Sequence, residues 1–377
     1  MRDAVIVDAV RVPIGKRNGA YADLHPGDLA AHVLTALVQR TGFDPARVDD
    51  VVWGCVTQSG EQSGNIGRVA LLAAGWPTSV PSTTVDRKCG SSQQAVAFAA
   101  AGVISGQYDF AVAGGVESMS RVQMGSNAQG QAQYPDSVLE RFGVRGFSQG
   151  IGAELVADKW GFSRAQLDEY SVRSHERTAA AIDSGAFDSQ LAPLPGRITA
   201  DEGLRRGSTV EKLGTLKTVF REDGVIHAGN SSQIADGTAA LLITTSELAR
   251  ANGLTPLARI HTTVVAADDP VIMLTAPIPA TAKALRRAGL SISDIGAFEV
   301  NEAFAPVPLA WQAETGAADA VTNPLGGAIA VGHPLGGSGA ALMTRLVHHM
   351  KAQNIRYGLQ TMCEAGGQAN ATILELL

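Results

Sequence analysis

Short apolar runs alternate along the chain with segments whose apolar residues recur every three or four positions. Ala4 to Ala9 is a compact apolar run containing Val and Ile, the pattern of a buried strand. His25 to Gly42 carries Leu29, Val33, Leu37 and Val38 at helical spacing. Val48 to Val56 predicts a second strand and Gln94 to Ile104 an apolar helix. Phe110 to Ala113 predicts a further strand, ending at a turn on Gly114-Gly115. Strands alternating with helices predict an α/β fold around a largely parallel sheet.

The same order then returns. Leu257 to Ala266 predicts a strand, Ile278 to Gly289 a helix, and Ile295 to Val300 a strand. Gly339 to Gln353 predicts a long helix, followed by a strand over Gly358 to Cys363 and the pair Gly366-Gly367. Ala4 aligns with Ala258 and Val51 with Ala297, so the offset drifts by only a few residues. Two duplicated halves follow. Between them, roughly Met119 to His227, lies a polar stretch rich in Gly, Gln and Ser with two helical segments, Gly152 to Trp160 and Arg164 to Ser184. The expected organisation is an N-terminal half over 1–118 with a return segment at about 228–253, an inserted loop domain over 119–227, and a C-terminal half over 254–377.

Composition narrows the function classes. The chain has 377 residues, enough for two or three packed units, and 45% are hydrophobic. A net charge of −6 argues against nucleic acid as a partner. Three cysteines are too few for a secreted disulfide scaffold and suit a reducing compartment. The N-terminus shows no export signal, the C-terminus no peroxisomal address, and no apolar run approaches a membrane span. The expectation is a cytoplasmic protein with no membrane partner.

Four segments could carry chemistry. In Arg87-Lys88-Cys89-Gly90-Ser91-Ser92, a polar turn enters an apolar helix. A thiol near a helix N-terminus meets free N–H groups and the positive end of the dipole, which favour a thiolate. Arg87 and Lys88 could add to that, and a buried structural cysteine is the alternative. His333 sits among six glycines between Gly326 and Gly339, just before a long helix. That run is neither a Walker loop nor a dinucleotide fingerprint, and a helix-capping histidine is the alternative. Cys363 ends a predicted strand at a glycine turn. Asn301-Glu302 follows a strand, at the end of an α/β sheet where ligands bind. Cys89 and His333 occupy equivalent positions in the two halves, which makes a Cys–His pair plausible.

Together these segments resemble the thiolase family. Cys89-Gly90-Ser91, Asn301-Glu302-Ala303-Phe304, Gly332-His333-Pro334 and Cys363-x-x-Gly366-Gly367 stand in that family's order. Arg11-Val12-Pro13-Ile14-Gly15-Lys16, Ala228-Gly229-Asn230 and Asp236-Gly237 extend the likeness over essentially the whole chain. The resemblance implies two βαβαβαββ halves with an inserted loop domain. It implies a 3-ketoacyl-CoA thiolase (acetyl-CoA C-acyltransferase) in which Cys89, activated by His333, forms an acyl-enzyme and Cys363 is the acid and base. One oxyanion site would use His333 with a water held by Asn301, the other the backbone N–H groups of Cys89 and Ala365. Coenzyme A would be a co-substrate, with no tightly bound cofactor and no metal. Arg205, Ala228 and Ser232 would contact CoA, within a basic cluster completed by Arg206, Lys212, Lys217 and Arg221. Phe304, Ser148 and Gln149 would line the substrate tunnel. The assembly would be a homodimer or homotetramer.

Some positions depart from the family's pattern. Ala365 stands where a glycine is usual, and a left-handed backbone there would strain it. Leu325 replaces an Asn often found before the Gly-Gly pair. Ser148-Gln149-Gly150 replaces a His-Met-Gly stretch lining a small acyl pocket in short-chain biosynthetic members, which favours a degradative enzyme taking larger acyl groups. The alternatives are an acetoacetyl-CoA thiolase and a non-catalytic acyl-CoA-binding relative.

Overall fold

The computed structural model describes residues 2–377. The N-terminal half runs β1 (Val5–Arg11), β2 (Gly15–Lys16), α1 (Pro26–Thr41), β3 (Asp50–Gly54), α2 (Ile66–Ala73), β4 (Ser82–Val85), α3 (Ser91–Ser105) and β5 (Phe110–Ser118). A long excursion with α4 (Asp136–Phe142), α5 (Gln149–Trp160), α6 (Arg164–Asp183) and α7 (Val210–Gly214) follows. The chain then returns through β6 (Ala235–Thr244) and α8 (Ser246–Ala251). The C-terminal half is β7 (Ala258–Ala267), α9 (Pro277–Ala288), β8 (Ala297–Val300), α10 (Pro306–Thr315), α11 (Ala328–Val331), α12 (Leu335–Gln353), β9 (Tyr357–Glu364) and β10 (Gln368–Leu376).

The strands join in the order β4-β3-β5-β6-β1-β7-β10-β9-β8, with β2 beside β6. Outward from the β1–β7 junction, each half repeats one sequence of first, last, penultimate and second strand. The duplication therefore holds, and Thr322 makes a parallel bridge to Phe298 where a counterpart of β4 would lie. The expected largely parallel sheet does not hold. Only β3–β4, β3–β5 and β8–β9 are parallel. The returning strands β6 and β10 run antiparallel to both neighbours. The apolar runs suggested parallel strands because both faces of the sheet are covered. In β1, Val5 and Val7 face the core under α1 and α2, whereas Ile6 and Ala9 face α3 and α12. Helices α9 and α10 cover the other half through Ala280, Ala284 and Trp311.

Helices α3 and α12 form the central layer and pack on each other. Small residues make this possible: a Cβ on Gly339 would lie 2.3 Å from the backbone nitrogen of Gln93. The expected turn at Gly114-Gly115 is also corrected here. The strand continues to Ser118, and Gly115 is small because a Cβ would sit 2.3 Å from the carbonyl oxygen of Gly336. The Gly366-Gly367 turn forms as expected, joining β9 to β10 with φ of 87° and 75°. Ala365 escapes the left-handed region, which falls instead on these two glycines, where it carries no strain. Among the described residues, no helix is long and apolar enough to cross a membrane.

Candidate active site

Cys89 and His333 each immediately precede the N-cap residue of a central helix, Gly90 for α3 and Pro334 for α12. The turn that aims Cys89 is built locally. Asp86 accepts the Lys88 N–H at 2.7 Å, and Ser91 Oγ accepts the Arg87 N–H at 2.9 Å. Ser91 also donates to the Lys88 carbonyl at 2.6 Å. These bonds hold Lys88 at φ 49°, a left-handed conformation that a lysine tolerates only when its surroundings impose it. Lys88 turns away to pair with Asp86 at 3.0 Å, and Arg87 donates to Gln368 at 3.2 Å.

The Cys89 sulfur is buried, and the backbone N–H groups of Cys89 itself and of Ala365 favour negative charge on it. Burial works against the thiolate that the helix N-terminus favours. Burial pushes the thiol up to about 12; negative charge on Glu364 or Glu117, when ionised, adds to that rise, and the two N–H groups work against it. Glu117 is a buried carboxyl group that receives the N–H groups of Val56, Thr57 and Gly336. Cys363 is likewise raised, by burial first and by Cys89 second, so the two thiols are electrostatic neighbours.

His333 is buried, and burial pulls its imidazole down to about 4. Its Nδ1 lies 2.6 Å from Ser338 Oγ. That hydroxyl already donates to the Pro334 carbonyl at 2.9 Å, so it accepts a proton from Nδ1. The free lone pair is therefore on Nε2, which faces the Asn301 side-chain amide at 3.4 Å. Ser338 lies outside the motifs that mark the site in sequence. Its signal was the five-residue step from a histidine into a helix, one turn apart in space. Asn301 is fixed by its neighbour Glu302, whose buried carboxylate accepts from Tyr170 at 2.9 Å and Ser174 at 2.7 Å on α6 and from the Ile329 N–H at 3.1 Å. This anchor ties the excursion between β5 and β6 to the end of β8.

Two cavities lead to these groups. The inner one, about 230 Å³, is lined by Met119, Gln149, Phe220, Ser232, Phe304 and His333. Cys89 clusters with Met119 and Leu335 at its edge. Ser148 is instead the N-cap of α5 and does not line it. The outer cavity, about 640 Å³, is lined by Lys16, Arg17, Arg205 and Gln233 among others. Ala228, Ser232, Gln233 and Ile234 line both, which makes them one path from surface to imidazole. The expected basic cluster is partly dispersed. Arg206 pairs with Asp183 at 2.6 Å and Arg221 with Asp158 at 2.6 Å. Arg205 stays at the path's entrance, joined by Arg17, which the sequence reading did not single out. Among the described residues, no cluster of His, Cys, Asp and Glu has the geometry of a metal site.

Comparison with known proteins gives a consistent set of matches. The model of the thiolase N-terminal domain matches residues 4–247, and that of the thiolase C-terminal domain matches residues 254–376. A steroid 3-ketoacyl-CoA thiolase of Mycobacterium tuberculosis is 47% identical, over 100% of this chain and 95% of its own length. A 3-ketoacyl-CoA thiolase of Bacillus subtilis is 39% identical with both chains fully covered. The crystal structure of the Bacillus anthracis acetyl-CoA acetyltransferase superposes with a TM-score of 0.91 at 36% identity, covering 100% of this chain and 99% of that one.

Proposed function

The chain belongs to the thiolase family of acyltransferases, and from that membership we propose that it is a degradative 3-ketoacyl-CoA thiolase, cleaving its substrate with CoA to acetyl-CoA and a shortened acyl-CoA. The observation that carries this reading is a buried imidazole of defined tautomer at the end of one path, with Cys89 packed against Met119 and Leu335 of its lining and Cys363 the electrostatic neighbour of Cys89. A binding protein needs none of the three.

The chemistry starts from neutral groups. Nε2 of His333 takes the proton of Cys89 as the sulfur attacks the keto carbon. The bond between that carbon and the acetyl unit breaks, leaving a thioester on Cys89 and the enolate of acetyl-CoA. Cys363 gives its proton to the enolate carbon. Its strongly raised pKa suits a group that must hold a proton until a carbanion appears. Free CoA then attacks the thioester, and its thiol proton restores the site. The N–H groups of Cys89 and Ala365, which favour negative charge at the sulfur, suit an oxyanion on the acyl carbon. His333 and Asn301 suit the enolate oxygen. Arg205, with Arg17 beside it, suits the phosphates of CoA. Ala228 and Ser232 suit its pantetheine arm.

An acyl group larger than acetyl is supported by the inner cavity. Gln149 lines it, and the rim exposes Met124 and Val219, 54% and 61% accessible. The assembly we expect is a homodimer or homotetramer, because β4 is an edge strand and α3 exposes Phe98 and Ile104.

The deciding experiment is CoA-dependent thiolysis across 3-ketoacyl-CoA substrates, from acetoacetyl to long, branched and cyclic chains. We expect rates at limiting substrate to rise about tenfold or more with acyl size, the scale of one to two buried methylenes. Turnover of acetoacetyl-CoA alone would replace the degradative assignment with acetoacetyl-CoA thiolase. Inactivity on all members would leave an acyl-CoA-binding protein.

A further inference from the structure

Behind the nucleophile turn lies a buried carboxyl group that the reaction above does not use. Glu364 follows Cys363 at the end of β9, so its side chain leaves the opposite face of the strand from the thiol. It is fully buried, and neither of its carboxyl oxygens has a well-formed hydrogen bond, the backbone N–H of Asn370 being the one donor that bears on it. The side-chain oxygen of Asn370, on the adjacent strand β10, is buried and also lacks a donor. Both oxygens converge on Gly90. A Cβ there would lie 2.0 Å from Glu364 Oε1 and 2.3 Å from Asn370 Oδ1. The amide nitrogen of Asn370 points the other way, donating to the Gly90 carbonyl at 3.4 Å. Two acceptor oxygens turned to one point repel unless a proton lies between them, and only the carboxyl group can carry it.

We propose that Glu364 is a positioning residue that holds the nucleophile turn as a neutral acid, and that its ionisation raises the pH at which Cys89 reacts. Its O–H donates to Asn370 Oδ1, and the amide of Asn370 holds the carbonyl of Gly90, the residue after the nucleophile. Ionised, it sets a negative charge beside Cys89 and Cys363. Burial holds it at about 8, opposed chiefly by the cation of Arg87 and reinforced by Asp86. The other charged or titratable groups here are Glu117 from β5, itself raised by burial, His333 before α12, and Lys88, which is committed to Asp86. Of the two carboxyl groups, Glu364 acts on Cys89 more strongly than Glu117 does. The inference rests on Cys89 being the reactive thiol.

The test is the pH dependence of Cys89 alkylation by iodoacetamide, read by peptide mass spectrometry, in the native protein and in Glu364→Gln. The glutamine keeps a donor for Asn370 and removes the titration. The native logarithmic rate should bend downward near pH 8, and that of the variant should rise without a bend. At pH 9.5 the variant should react roughly tenfold faster, one pKa unit at the sulfur. Superimposable profiles would overturn the proposal. Thermal unfolding provides a second reading that does not involve the cysteine. A carboxyl group raised by folding loses stability as pH rises from its unfolded value toward its folded one. The melting temperature of Glu364→Gln should therefore gain on the native protein between pH 5 and 8 and run level above. A constant difference over that range would mean Glu364 is already ionised, and the idea fails. Failure of Cys89 to label at all would refute the nucleophile assignment, and the melting curves would still decide for or against the neutral Glu364.

Discussion

The N-terminal ends of α3 and α12 are the same place in two copies of one motif, yet they present different chemistry. At α3 the residue before the cap is a thiol, ringed by two N–H groups and two buried carboxyl groups. At α12 it is an imidazole with one ring nitrogen fixed by a serine. Burial acts on both and moves them in opposite directions, the thiol up to about 12 and the imidazole down to about 4. The cause is common, because a low-dielectric interior disfavours whichever form is charged. Burial therefore favours the neutral form on both sides. A helix N-terminus does not by itself make a thiolate, and the proton moves from sulfur to nitrogen only as the substrate is attacked. Duplication supplied two equivalent positions, and the neighbours of each position supplied its role.

The sharpest break in that comparison is removal of the thiol. Cys89→Ala should abolish formation of an acyl-enzyme and reduce turnover by about 10⁴-fold or more, the usual scale for a lost nucleophile. Retained turnover would refute the assignment. Cys363→Ala separates the second thiol from the first. It should still let acetyl-CoA acylate Cys89, visible as a mass increase on the intact protein, while thiolysis and condensation fall by about 10²- to 10⁴-fold, the range for a lost general acid. Normal condensation in that variant would remove Cys363 from the proton transfer.

How much of this the sequence carried depends on the range of the interaction. Positions fixed by neighbours within a few residues were legible: the strand at Val5–Arg11, the helix at Pro26–Thr41 closed by Gly42 at φ 64°, and the glycine hairpin after Cys363. The four reactive segments were legible for the same reason, since each is a short run of unusual residues. What depended on distant partners was not. Gly114-Gly115 has turn composition, but Gly115 serves the approach of α12 from more than two hundred residues away and Gly114 that of Trp53 and β6, and the strand runs through them. Sheet direction was misjudged because coverage on both faces gives the same apolar run to either kind of strand. Arg206 and Arg221 looked like free cations until folding brought Asp183 and Asp158 to them. The thiol of Cys89 looked acidic from its local turn, and burial under the rest of the fold works against that.

The smallest effect tests the imidazole side. Ser338 touches no substrate in the proposed reaction and acts only through His333. Ser338→Ala removes the acceptor of the Nδ1 proton and leaves that donor buried. One such hydrogen bond is worth about 1–1.5 kcal/mol, so kcat should fall roughly tenfold with KM little changed. The direction of the pH response distinguishes this from a general loosening of the site. A hydroxyl accepting from Nδ1 stabilises imidazolium more than imidazole, so its loss pushes the His333 midpoint further below 4. The acid limb of the rate profile should then stay put or move to lower pH. Water entering a loosened pocket would do the opposite and return the midpoint toward 6.5, bringing the fall in rate into the mildly acidic range. Ser338→Thr restores the hydroxyl and should recover most of the rate. An alanine variant with full kcat, or an acid limb that climbs toward 6.5, would mean that packing around α12, rather than the serine, keeps the base in its working tautomer.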